Sequence, residues 1–123
     1  MPSKKTEGDQ RKHPRYEALE YALLWLDGEA DPIRAVIIEI GLGGLQIRAR
    51  GEAEAGAKGL IQIGTEEAKQ LPLRCEVRYC QPANGSGLFA IGVKLRPRGH
   101  EERTVVAALV HAAFQRQADR LIS

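Results

Sequence analysis

At 123 residues with 43% hydrophobic content, the chain is sized for one compact domain around one core and is too short for two of ordinary size. Its formal charge of +2 and pI near 8.7 are too mild for a dedicated DNA-binding protein, so any anionic ligand is expected to be small. Only 5% aromatic residues and 13 glycines point to a core of Val, Ile, Leu and Ala broken by many tight turns, which favours β architecture.

From Met1 to Gln10 the chain is polar and charged with no periodic apolar residues, so residues 1–10 are expected to form a flexible basic tail, with structure beginning near Arg11. The first 15 residues set Lys4, Lys5, Arg11, Lys12 and Arg15 against Glu7 and Asp9 and contain no apolar run, which excludes a signal peptide or membrane anchor there. The YALLWL run from Tyr21 to Leu26 predicts a buried strand, closed by an Asp27-Gly28 turn. IRAVIIEI, from Ile33 to Ile40, is rich in β-branched residues and follows Pro32, as a strand start would.

After Gly41-Leu42-Gly43-Gly44, the residues Leu45, Ile47 and Ala49 alternate with Gln46, Arg48 and Arg50, the period of a half-buried strand. A loop with Gly51, Gly56 and Gly59 leads to a short strand from Leu60 to Ile63, and a second polar loop reaches Leu71-Pro72. In the next strand Cys75, Val77 and Tyr79 are expected on one face and Arg74, Glu76, Arg78 and Cys80 on the other. Asn84-Gly85-Ser86-Gly87 then turns the chain into a strand with Phe89, Ile91, Val93 and Leu95 inward and Ala90, Gly92 and Lys94 outward.

Beyond Pro97, apolar residues recur at spacings of three and four from Val105 to Leu121, predicting an amphipathic helix over about 101–122. Glu101 and Glu102 at its start and Arg116 and Arg120 near its end suit the helix dipole. The expected architecture is mainly β: a six-stranded antiparallel barrel over about 16–97 with a C-terminal α-helix free to cover one mouth, all within a single domain of residues 11–123. Cys75 and Cys80, five residues apart on one strand, should point to opposite faces, which predicts two free thiols in a reducing compartment.

Two stretches carry candidate chemistry. In Arg11-Lys12-His13-Pro14-Arg15, Pro14 keeps His13 out of a helix, and two guanidinium groups four residues apart suit a phosphate or a guanine. A solvated basic tail is the plainer reading of the pair taken alone. In Glu39-Ile40-Gly41-Leu42-Gly43-Gly44 a carboxylate could accept from guanine N1 and N2, and the glycines would admit a flat ligand to the backbone. The plainer reading there is a tight turn needing positive φ. The cluster is neither a dinucleotide fingerprint, since Gln46 stands where the third Gly would fall, nor a P-loop, since the Lys-Ser/Thr pair is missing.

Taken together and in this order, the two stretches resemble the PilZ family, known by Arg-x-x-x-Arg followed by Asp/Asn-x-Ser-x-x-Gly. The likeness extends to Leu45, to the Gly56 loop, to Cys75-Glu76-Val77-Arg78-Tyr79, to Gly92-Val93-Lys94-Leu95 and to the terminal helix. It implies a β-barrel that binds the bacterial second messenger cyclic di-GMP, with Arg11 and Arg15 over the ligand, Glu39 in place of the Asp, Gly41 in place of the Ser and Gly44 as the closing Gly. Gln10, Gln46, Arg48 and Lys94 are secondary contact candidates, or ordinary solvated residues. The second motif is degenerate: Glu39 is one methylene longer than Asp and Gly41 lacks a hydroxyl, departures worth about 1–3 kcal/mol of binding. Restoring Asp at 39 and Ser at 41 is expected to tighten it.

No metal-ligand spacing joins His13, His100, His111 and the cysteines, and no nucleophile, base and orienting acid assemble, so neither an enzyme nor a cofactor is expected. The resemblance implies a cytoplasmic, stand-alone receptor that relays the signal to a protein effector, with a homodimer among the arrangements left open and no membrane insertion. The alternative is a PilZ-type adaptor that binds no nucleotide and acts through protein contacts. A barrel for single-stranded nucleic acid would need surface aromatics that the strands are not expected to present, so no nucleic acid polymer is expected.

Overall fold

In the computed structural model the described residues are 14–64 and 71–122. The expected Met1–Gln10 tail, and Gln10 and Arg11 with it, lies outside them. Six strands, β1 (Arg15–Leu26), β2 (Ile33–Gly41), β3 (Gly44–Ala49), β4 (Lys58–Ile63), β5 (Leu73–Pro82) and β6 (Phe89–Leu95), precede one helix, α1 (Gly99–Ile122). They close into a barrel in the order β1-β2-β3-β6-β5-β4, every neighbouring pair antiparallel. The six-stranded antiparallel barrel with a C-terminal helix is therefore the observed architecture. The strands close on one another, and the alternating apolar residues point inward, with Leu24, Ile37, Ile47, Ile61, Leu73 and Ile91 fully buried.

β1 begins at Arg15, six residues ahead of the Tyr21 start expected from the apolar run. It pairs with β4 only from Ala22 to Leu26 but with β2 from Arg15 to Leu24, so residues 15–20 form a two-stranded arm that outruns the barrel. Tyr16 and Ala18 continue the inward phase of Ala22 and Leu24, and α1 covers this face where β4 no longer does. The Tyr16 and Phe114 rings meet edge to face at 5.3 Å. Glu17 N–H, on the stretch of β1 that β4 does not reach, donates to Gln117 Oε1 at 3.0 Å. Arg120 pairs with Glu17, and Arg116 lies 3.7 Å from Glu20. The helix buries Val106 and Ala113, while Leu121, expected from its spacing to join the apolar face, is 80% exposed.

A second bulge, at Arg78, corrects the expected facing in β5. Val77 pairs with Val93 and Tyr79 with Gly92, so one residue of β5 has no counterpart and the phase reverses after Val77. Tyr79 thereby turns to the outer wall, and Cys80 turns inward to pack against the core. Cys75 and Cys80 thus lie on the same side rather than on opposite faces, and both are free thiols. The first strand also departs from expectation. Both its faces are apolar, which leaves Tyr21 67% and Trp25 39% exposed, so the strands do present surface aromatics.

Burial, with the Asp27 charge as a lesser cause, pushes the Cys75 thiol from 9.0 up to about 12. The unfolded chain ionises Cys75 first, so this contribution is complete below pH 9 and is lost as the pH climbs from 9 toward 12. Urea unfolding should therefore show about 3 kcal/mol less stability at pH 11 than at pH 8 from this thiol, a drop missing from Cys75→Ala. Ala113→Leu should overfill the helix–barrel seam and cost about 1–3 kcal/mol in the same assay, whereas Leu at the exposed Ala112 should change stability by less than about 0.5 kcal/mol.

Candidate functional site

Antiparallel registration puts Arg15 directly opposite Gly41, at the tip of the arm. The approach is close: a Cβ on Gly41 would lie 2.8 Å from the Pro14 carbonyl oxygen and 3.1 Å from Arg15 Cγ. The aliphatic stem of Arg15 thus rests against the Gly41 backbone. Gly44 begins β3 across from Lys94, and a Cβ there would lie 2.4 Å from the Val93 carbonyl oxygen. None of Gly41, Gly43 and Gly44 has positive φ. Gly41 and Gly44 serve close approach of neighbouring chain, and a turn demanding left-handed backbone is not what the three glycines make. Ser at 41 would require the Pro14 carbonyl to move, so restoring the motif residue is not a simple gain of a hydroxyl.

Glu39 occupies the next position outward along the wall. It pairs with Glu17 on one side and with Gln46 on the other, and it is half-buried. A bulge at Ile38 in the β2–β3 pairing allows this. Ile37 pairs with Ile47 and Glu39 with Gln46, which returns Ile40 to the core and keeps Glu39 outside. Beyond Gln46 the same row continues to Gly92 and then Tyr79. A Cβ on Gly92 would lie 2.2 Å from Tyr79 Cε2, so the phenol ring covers the glycine.

The structure therefore brings Arg15, Gly41, Gly44, Glu39, Gln46 and Lys94 onto one end of the β1–β2–β3–β6 wall. Arg48 stands further off: it pairs with Val36 and Ala90, its guanidinium donates to the Ile47 carbonyl oxygen at 3.3 Å, and it borders a separate cavity beside the hairpin of residues 83–88. Simple alternation predicts Tyr79 in the interior, whereas its ring stands on the wall in the row of Gln46 and Gly92. The clue available in the sequence was Gly92, a glycine inside an apolar strand, which marks a bulge or a covering ring.

Among the described residues no group of three or more His, Cys, Asp or Glu side chains is placed to hold a metal, and no helix is long and apolar enough to cross a membrane. A cavity of about 750 Å³ lies beside the Gly44 corner and includes Lys94, but neither Arg15 nor Gly41 lines it.

No curated protein sequence matches the chain. Among solved structures, the PilZ domain of YcgR from Escherichia coli, determined with c-di-GMP, superposes with a TM-score of 0.73 at 8% identity, over 93% of this chain and 98% of that one. Bacillus subtilis inhibitor of motility (MotI/DgrA) superposes with a TM-score of 0.68 at 16% identity, over 89% of this chain and 52% of that one. The chain thus spans about half the length of the Bacillus protein. At such identities the likeness speaks for the fold alone, and the sequence evidence comes from the PilZ domain model, which matches residues 9–112. With the match covering most of the chain and the barrel built as described, the protein belongs to the PilZ domain family.

Proposed function

We propose that residues 11–123 act as one cytoplasmic module that binds cyclic di-GMP and passes the signal to a protein effector, without catalysing a reaction. The observation that carries this reading is the register of Arg15 against Gly41, with Gly44 and Glu39 in the same corner. The YcgR PilZ domain, which shares the fold, was determined with c-di-GMP. In this reading Arg11 and Arg15 contact the phosphates and a guanine, by two-pronged hydrogen bonds and by stacking, which Lys could not reproduce. Glu39 accepts from the guanine N1 and N2 edge. Gly41 and Gly44 admit the ligand to the backbone, and Gln46 and Lys94 flank it, with Tyr79 as an added wall contact. Gly41 supplies no hydroxyl, which weakens binding by about 1–3 kcal/mol relative to a Ser-bearing site.

The crowding at Gly41 also favours a second reading, a PilZ-type adaptor that holds no nucleotide and works through protein contacts alone. Calorimetric titration with cyclic di-GMP separates the two. The receptor reading expects a saturable signal, at least about tenfold weaker in Arg15→Ala, a loss of about 1.4 kcal/mol or more. Arg50→Ala, at the opposite end of β3, should leave it unchanged. No signal at high micromolar nucleotide would select the adaptor, and equal affinity in Arg15→Ala would remove Arg15 from the site.

A further inference from the structure

The cavity of about 750 Å³ beside the Gly44 corner has a composition that the nucleotide reading does not use. Lys58, Arg74, Lys94, Arg96 and Arg98 line it against a single carboxylate, Asp27. Strand register explains the concentration. Lys58, Glu76 and Lys94 are cross-strand partners in one outward row. Leu60 and Arg74 form the next, which Arg96 joins through its N–H to the Arg74 carbonyl oxygen at 2.8 Å. Neighbouring strands are about 4.8 Å apart, so Arg74 and Arg96 stand side by side while Lys58 and Lys94 flank Glu76.

Arg96 is held by Glu76 at 3.0 Å. Among the described residues, no carboxylate is within ion-pair distance of Lys58, Arg74, Lys94 or Arg98. The whole chain has a formal charge of only +2, so with this much positive charge in one cleft the remainder is net negative. A like-charge cluster of this kind repels itself, and a bound anion relieves the repulsion.

The rim limits what the anion is. Trp25 and Leu60, directly paired across β1 and β4, are 39% and 38% exposed beside the cations. An occupant that matches both features bears carboxylates next to an apolar side chain. An acidic peptide with an apolar side chain matches both the cations and the exposed Trp25–Leu60 pair, and a nucleic acid strand is the rival occupant that the test below separates from it.

We propose that this cleft docks an acidic segment of a partner protein, its carboxylates on Arg74, Arg98 and Lys58 and an apolar side chain against Leu60 and Trp25. The docking needs no nucleotide, although Lys94, opposite Gly44, places it next to the nucleotide corner.

The test is fluorescence anisotropy with the whole chain and a labelled peptide of Glu and Asp residues around a central Leu. Saturable binding should weaken at least about tenfold between ~50 mM and ~300 mM salt, as screening of exposed charges requires. Arg74→Glu with Arg98→Glu should weaken it at least as much, and Arg74→Gln with Arg98→Gln should weaken it less, both pairs keeping the parent melting temperature. The matched control Arg48→Glu with Arg50→Glu, on and just after β3 and outside the lining of the cleft, should bind as the parent does. Replacing the peptide's Leu by Gly should lower affinity. The proposal is overturned by an absence of saturable binding, by equal weakening in the control pair, by indifference to the Leu, or by a single-stranded RNA of equal charge binding as tightly as the peptide.

Discussion

Ahead of Ala22, β1 has no β4 beside it, and its inner face would be exposed if α1 did not lie there. Everything at the candidate corner depends on that contact. The Tyr16–Phe114 ring pair supplies apolar burial, and Gln117 supplies an acceptor for the Glu17 N–H, which has no β4 partner. Arg120 supplies a counter-charge for Glu17, which faces Glu39 directly across the strands. Two carboxylates opposite one another destabilise a sheet, so the helix cation lets the arm hold both. The arm in turn carries Arg15 to Gly41.

Irregularities in the ladder decide what the outer wall presents. The bulges at Ile38 and Arg78 each add one residue to one strand, and each reverses the side-chain phase beyond it. The first leaves Glu39 on the outside beside Gln46 while returning Ile40 to the core. The second brings Tyr79 out over Gly92 and takes Cys80 in. Without them, the wall would lack both its carboxylate and its ring. At that end of the wall, Gly41 and Gly44 let the neighbouring strands approach closely.

The barrel and the helix were legible because their periods are uninterrupted where it matters: Leu45-Ile47-Ala49 and Ile91-Val93-Leu95 alternate cleanly, and Val105 to Ala113 recur at helical spacing. The two motif stretches were legible as patterns, and the pairing of Arg15 with Gly41 follows once the adjacent strands are antiparallel. Less could be read where tertiary context overrides local pattern. The β1 start at Arg15 depends on a helix nearly one hundred residues away, recorded in the Glu17–Gln117 hydrogen bond. The facing of Tyr79 depends on a bulge that no alternation rule locates. The purpose of Gly41 and Gly44 depends on neighbouring strands, because positive φ and steric closeness both ask for glycine. The basic cleft was invisible for the same reason, since its five cations come from three separate stretches of sequence.

The central claim is that the β1–β2 arm and the start of β3 form the cyclic di-GMP surface. Backbone amide NMR during titration with cyclic di-GMP addresses it residue by residue. The account expects the largest shifts at Arg15, Glu39, Gly41, Gly44 and Gln46, with the hairpin of residues 83–88 and the exposed end of α1 unmoved. Shifts concentrated at that hairpin, or a spectrum unchanged at saturating nucleotide, would contradict it.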